Sequence, residues 1–200
     1  MQFKFDANQE YQIKAVEAAV NLLEGQQRIS GASVYVSMGD GQSSLLPPEE
    51  RGQYLITEVL PGTIANTLNL TEDDLLTNLN NVQKTHGVEP DSALAFIEEI
   101  IETAAGQKKA RFPNFSIEME TGTGKTYVYL RTALELYRRY GLRKFIIVVP
   151  SVAIREGVLK TLQITQTHLR ELYGNAPYRY YVYDSDNLSQ VRNFANSDGV

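Results

Sequence analysis

The spacing of apolar residues predicts helices in the first part of the chain. A first helix should follow Asp6–Gln9, with Asp6 as its N-cap, and end at Gly25. Its apolar positions recur at helical spacing: Ile13, Val16, Val20 and Leu23. A second helix should begin near Thr71, with Asp74 three residues on. A third should begin at Asp91 or Ser92 and carry Leu94, Ile97, Ile100 and Ile101. Residues 29–38 and 54–60 show an alternating pattern with β-branched residues, which predicts a strand in each stretch.

From residue 115 the pattern becomes regular. Residues 115–119 alternate, residues 145–149 are continuously apolar, and residues 180–183 are β-rich, so each predicts a strand. Helices are predicted between them, over 125–140 until Gly141 and from the N-cap Ser151 onward. Strands alternating with helices predict a right-handed parallel α/β sheet with ligand sites at the strand ends. The basic stretch 107–111 is predicted to be a solvated loop.

A glycine-containing turn joins the first of these strands to its helix. It reads Glu-Thr-Gly-Thr-Gly-Lys-Thr over residues 120–126. Backbone amides at a helix N-terminus have no intrahelical partners, and a triphosphate can supply the acceptors. Lys125 would then contact the β and γ phosphates, and the Thr126 hydroxyl would bind Mg²⁺. The strict form of the phosphate-binding loop motif requires a glycine at the position of Met119. An ordinary turn with a surface lysine is therefore the alternative.

Composition and charge narrow the class of protein. The chain has 200 residues, no cysteine and a net charge of −5, so a disulfide framework is excluded. No apolar run approaches a membrane span and no secretion signal begins the chain, which predicts a cytoplasmic protein. The acidic residues concentrate in the first half and the basic residues in the second, which contains the turn. Phosphate-bearing partners would be attracted to that half.

A glutamine in the first helix is a candidate base reader. The amide of Gln12 can donate and accept at once, which matches the N6/N7 edge of adenine. An ordinary polar position on an amphipathic helix is the alternative.

Three stretches together resemble a known family. Residues 8–16 resemble the glutamine motif of superfamily 2 helicases, residues 120–126 resemble their motif I, and Val148–Ser151 followed by 155–158 resembles their motif Ia. The sequences of residues 115–132 and 146–158 resemble the Res subunit of type III restriction-modification enzymes.

The resemblance implies an α/β fold: a three-layer RecA-like P-loop domain with a parallel sheet, truncated, carrying an inserted mixed α+β segment. It divides the chain into a glutamine-motif helix (1–27), an insert (28–114) and the first part of the ATP-binding lobe (115–200). The implied cofactors are ATP and Mg²⁺, and the implied partners are double-stranded DNA and a methyltransferase (Mod) subunit. Gln12, with Gln9 as second candidate, would read adenine, and Lys125 would be catalytic. Phosphates would be held by Thr121, Gly122, Thr123, Gly124, Lys125 and Thr126, and a DNA backbone by Ser151 and Arg155.

The sequence departs from the family in lacking an Asp-Glu box, for which Asp184 is the nearest replacement. We therefore expect an N-terminal fragment that alone hydrolyses ATP negligibly. Other hypotheses stay open: another superfamily 2 helicase, a small-molecule kinase, or a non-catalytic interaction module built on the acidic insert.

Overall fold

The computed structural model describes residues 6–28, 66, 68–103, 106–176, 178–184, 186, 188–197 and 200. In chain order the elements are α1 (Glu10–Asn21), α2 (Glu72–Thr85), β1 (Ala95–Thr103), β2 (Gly106–Asn114), α3 (Lys125–Tyr140), α4 (Val152–Leu172) and α5 (Leu188–Asn196). The described residues therefore combine helices with a pair of strands. The predicted strands 29–38 and 54–60 lie outside the described residues.

Helix α3 lies at the centre of the described core, packed between α1 and α4. One cluster on α3 faces α4 and contains Tyr127, Leu130, Leu134, Val158, Leu162 and Leu169. The other faces α1 and contains Val16, Val20, Val128, Tyr140 and Leu142. Helices α1 and α3 run in the same direction, since Gln12 contacts Thr123 and Asn21 contacts Arg139. This packing brings the N-terminal turn of α1 beside the loop that precedes α3.

Local signals set several helix ends as predicted. Thr71 forms a capping box with Asp74, in which the hydroxyl accepts from the Asp74 amide and the carboxylate accepts from the Thr71 amide. Ser151 caps α4 by accepting from the Ile154 amide at 3.3 Å. Gly141 ends α3 in the left-handed region at φ +73°, where glycine carries no steric penalty. These three ends confirm the sequence prediction.

The first helix differs from the prediction at both ends. Its N-cap is Gln9, and no side chain caps it. Asp6 instead accepts a hydrogen bond from the Asn8 amide at 2.9 Å, which forms a turn before the helix. The helix ends at Asn21, and Gly25 lies in the following turn at φ +88°. The carboxylate satisfies a nearer backbone group, so the chain enters the helix three residues later.

The predicted third helix is wrong, and so is the predicted loop at 107–111. Both stretches form an antiparallel hairpin in which Ala95 lies opposite Asn114 and Thr103 opposite Gly106. Apolar residues three and four apart fitted a helix, but Ile97 pairs with Phe112 and Glu98 with Arg111 across the strands. The Glu98 carboxylate also pairs with Lys109 at 2.7 Å. Such cross-strand pairs stabilise a sheet, and the spacing of residues within one stretch does not reveal them.

The predicted parallel sheet is not formed among the described residues. The sheet that they contain is the two-stranded hairpin β1–β2. The run 145–149, predicted to be buried on both faces, leaves Ile146 81% and Val148 88% exposed. A strand of this kind is buried on both faces only when neighbouring strands and helices cover it.

Candidate nucleotide-binding site

The loop of residues 120–124 enters α3 through two glycines in the left-handed region. Gly122 has φ +83° and Gly124 has φ +84°. Gly124 is the N-cap residue of α3, and no side chain caps the helix. The first amides of α3 therefore point out of the helix beside an exposed loop, where the helix dipole favours an anion.

The carbonyl of Glu120 holds the loop closed on itself. It accepts one hydrogen bond from the Thr123 hydroxyl at 2.7 Å and another from the Lys125 ammonium at 2.8 Å. Lys125 is exposed, and its ammonium is held at the start of the loop by this bond. An anion bound to the loop amides would compete with the Glu120 carbonyl for this charge.

Gln12 reaches the same loop from α1. Its side-chain amide nitrogen donates to the carbonyl of Thr123 at 2.9 Å, and the residue is 9% exposed. A Cβ atom at Gly124 would lie 2.8 Å from that nitrogen. The structure thus brings together the predicted base reader and the predicted phosphate loop, which the sequence separates by 111 residues.

We expect Gly124→Ala to destabilise the protein more than Gly122→Ala. Both glycines share nearly the same φ, but a Cβ at Gly122 meets no atom within 4 Å. At Gly124 the new methyl would displace the Gln12 amide and break its bond to Thr123, an additional cost of about 1 kcal/mol. Denaturant unfolding of both variants measures the difference. In a Gln12→Ala background the difference should vanish, and its persistence there would contradict this explanation.

Thr126 lies in the first turn of α3, next to the loop. The described residues contain no group of three or more His, Asp or Glu side chains placed to hold a metal ion. The Thr126 hydroxyl could serve as one ligand of a Mg²⁺ ion, which commonly keeps water and phosphate oxygens among its other ligands.

The predicted DNA contacts lie at the start of α4. Ser151 is exposed, and its hydroxyl is engaged in capping the helix. Arg155 pairs with the adjacent Glu156 at 3.2 Å, with 44% of the arginine side chain exposed. Asp184, the nearest replacement for an Asp-Glu box, is exposed and accepts from the Asp186 amide at 3.0 Å.

A partly buried polar network between α3 and α4 was not predicted. Arg131 donates to the carbonyl of Ala7 at 2.6 Å and to the Tyr173 hydroxyl at 3.3 Å. That hydroxyl donates in turn to Glu135 at 3.0 Å, and Glu135 also pairs with Arg138 at 2.8 Å. Burial, and next the Glu135 charge, raise the pKa of Tyr173, so the phenol stays protonated. An arginine among apolar positions of α3 was the available signal in the sequence.

A second polar contact joins the same two helices. The Tyr127 hydroxyl lies 2.8 Å from Nε2 of His168. Burial and the nearby Arg131 charge lower the pKa of His168, which favours the neutral imidazole at neutral pH. His168 therefore adds no positive charge to the interface between α3 and α4.

None of the described helices is long and apolar enough to cross a membrane.

Comparison with known proteins gives one family. The sequence profile described as "Type III restriction enzyme, res subunit" matches residues 79–187, more than half of the chain. That stretch contains the hairpin, the loop, α3 and α4. No solved structure matches the chain.

Three curated proteins are similar in sequence. The Res subunit of the StyLTI type III restriction-modification enzyme from Salmonella typhimurium is 48% identical over 64 residues, 31% of this chain. The EcoPI Res subunit from Escherichia phage P1 is 33% identical over 125 residues, and the EcoP15I Res subunit from Escherichia coli is 32% identical over 135 residues. The last two alignments cover 62% and 66% of this chain. The aligned stretches span only 6% to 12% of the relatives' own lengths. By the profile match over residues 79–187, the chain belongs to the family of type III restriction enzyme Res subunits.

Proposed function

We propose that this chain binds Mg²⁺-ATP between α1 and the loop before α3. The observation that carries the proposal is the contact of the Gln12 amide with the Thr123 carbonyl. It supports the proposal because an amide that could match the adenine edge lies beside a loop whose amides could hold phosphate. Residues Thr121–Thr126 hold the phosphates through backbone amides, and Lys125 supplies a positive charge. Thr126 is the protein ligand of Mg²⁺, and Gln12 reads the adenine edge, with Gln9 one turn earlier as second candidate. The bound Mg²⁺ would neutralise phosphate charge.

We propose further that 115–119, 145–149 and 180–183 pair as a parallel RecA-like sheet in the complete protein. Support comes from the packing of residues 145–149. Phe145 and Val149 pack on the two clusters of α3, whereas Ile146, Ile147 and Val148 between them are exposed. An apolar run exposed in this way is typical of a strand that neighbouring strands and helices cover. The exposed face then requires cover from further elements.

The family supports a proposal for the whole protein. Its relatives are named as type III restriction-modification enzymes, and we propose that this chain serves such an enzyme as the ATP-binding part of its motor. The motor couples ATP hydrolysis to movement on double-stranded DNA and to DNA cleavage, together with a methyltransferase subunit. Ser151 and Arg155 contact the DNA backbone at the start of α4. Residues 1–27, 28–114 and 115–200 form the glutamine-motif helix, the insert and the ATP-binding part.

Calorimetric titration of the purified protein with ATP, GTP and inorganic tripolyphosphate, all with Mg²⁺, tests the nucleotide site. We expect ATP to bind more tightly than GTP. Gln12→Ala should weaken ATP binding by about tenfold, the cost of one lost hydrogen bond pair, and leave GTP and tripolyphosphate nearly unchanged.

Gln163→Ala is the matched control, because Gln163 is an exposed glutamine on α4. It should bind ATP as the wild type does. Equal losses of ATP and GTP in Gln12→Ala would show that the residue supports the loop without reading the base. Failure of the wild type to bind both ATP and tripolyphosphate would refute the nucleotide site itself.

A further inference from the structure

The first turn of α1 depends on contacts from outside the helix. Gln9 caps it without a side-chain hydrogen bond, and Gln12 is the third helical residue. The Gln12 amide donates to the Gln9 carbonyl at 3.0 Å, but the amides that precede it have no acceptor within an α-helix, so an end without a side-chain cap frays. The proposed base reader therefore stands on the part of α1 that local forces hold least firmly.

Arg131 fixes the chain immediately before this turn. Its Nη1 donates to the carbonyl of Ala7 at 2.6 Å, a contact between α3 and a residue 124 positions away. On the other side its Nε donates to the Tyr173 hydroxyl at 3.3 Å. The guanidinium thus bridges the segment before α1 to the end of α4. A planar fork with fixed donor directions can make both bonds at once, which a lysine ammonium on a flexible stem does less well.

The bridge is itself held in place. Tyr173 donates to Glu135 at 3.0 Å, and the Glu135 carboxylate also accepts from Arg138 at 3.0 Å. Glu135 is 8% exposed. Arg131 lies six residues beyond Lys125 on α3, so one helix supports both the phosphate loop and the residue that fixes α1.

We propose that Arg131 is a positioning residue for base recognition, acting by holding the Ala7 carbonyl so that Gln12 stays at the adenine edge. The inference rests on the proposed nucleotide site. It assigns to Arg131 no contact with the nucleotide and no contact with the phosphate loop. Its loss should accordingly affect recognition of the base and spare recognition of the phosphates.

The test is titration of Arg131→Met, Arg131→Lys and Tyr173→Phe with Mg²⁺-ATP, Mg²⁺-GTP and Mg²⁺-tripolyphosphate. In Arg131→Met we expect ATP affinity to fall by about tenfold and the preference for ATP over GTP to shrink. Tripolyphosphate binding should remain within about twofold of wild type. Arg131→Lys should recover part of the ATP affinity, and Tyr173→Phe should show a smaller loss in the same direction.

Amide hydrogen exchange separates positioning from general destabilisation. In Arg131→Met, exchange should accelerate at residues 8–13 and stay unchanged in the core of α4. Arg170→Met, at an exposed arginine near the end of α4, is the matched control and should leave binding and exchange as in the wild type.

Three results would overturn the proposal. They are an equal loss of ATP and tripolyphosphate binding in Arg131→Met, an unchanged ATP affinity in that variant, or accelerated exchange throughout α3 and α4. Failure of the nucleotide site gives a different result, since the wild type would then bind neither ligand.

Discussion

Replacing Lys125 with alanine is expected to weaken Mg²⁺-ATP binding by about a hundredfold, the effect of removing a charge-assisted contact to phosphate. The ammonium donates to the Glu120 carbonyl, at the start of the loop, at 2.8 Å. The variant keeps the second bond to that carbonyl, from the Thr123 hydroxyl. The loop should therefore keep its fold, and the loss should fall on ligand binding. Calorimetry with ATP and tripolyphosphate measures it, and both ligands should be affected because the charge acts on phosphate.

Lys160→Ala is the matched control for this variant. Lys160 is an exposed lysine on α4, so its removal changes the net charge equally and should leave ATP binding within about twofold of wild type. Thermal unfolding of the ligand-free Lys125→Ala protein should also match the wild type. If Lys125→Ala binds ATP as tightly as the wild type does, the nucleotide binds at a site other than this loop.

Leu169→Ala is expected to lower the free energy of unfolding by about 2–5 kcal/mol, because it removes buried methyl groups and leaves a cavity. Leu169 is 1% exposed and lies in the cluster between α3 and α4 with Tyr127, Leu134 and Val158. Both helices contribute to this interface, so the substitution weakens the support of the phosphate loop as well as α4. Urea denaturation followed by circular dichroism measures the change.

Leu172 offers the control on the same helix. It is 38% exposed, and Leu172→Ala should change the unfolding free energy by at most about 0.5 kcal/mol. Equal destabilisation by the two variants would contradict the packing described for α4. A Leu169→Ala protein that retains wild-type stability would do the same.

The sequence predicted those elements whose causes are local. Gly141 ends α3 because the left-handed turn favours glycine, and Thr71 and Ser151 start their helices because a hydroxyl reaches an amide three residues on. Each of these signals lies within one helical turn of its effect. Prediction failed in β1, where the cause is distant because Ile97 is paired with Phe112. It also failed at the start of α1, where two local partners compete and Asp6 accepts from the Asn8 amide without capping the helix.

The candidate site shows the same division. The loop 120–126 was recognisable because its glycines and lysine are adjacent in sequence. Its contact with Gln12 could be proposed from motifs, but only folding brings the two within 2.9 Å. The bridge from Arg131 to Ala7 and Tyr173 was signalled only by an arginine among apolar positions of α3, and its partners could not be predicted because it joins three separate segments. Every residue type has a backbone carbonyl that can accept a hydrogen bond, so the residue type of Ala7 does not predict this contact.

The contact between Gln12 and Thr123 also bears on how freely the intervening chain can change. The two residues close a loop of 111 residues. The entropic cost of closing a flexible loop grows only with the logarithm of its length, so a doubling costs about 0.6 kcal/mol. By this estimate even a doubling of the intervening length would cost less than the methyl group of Gly124→Ala, which costs about 1 kcal/mol. The site should therefore tolerate a change of length between α1 and β1 better than it tolerates a side chain at Gly124.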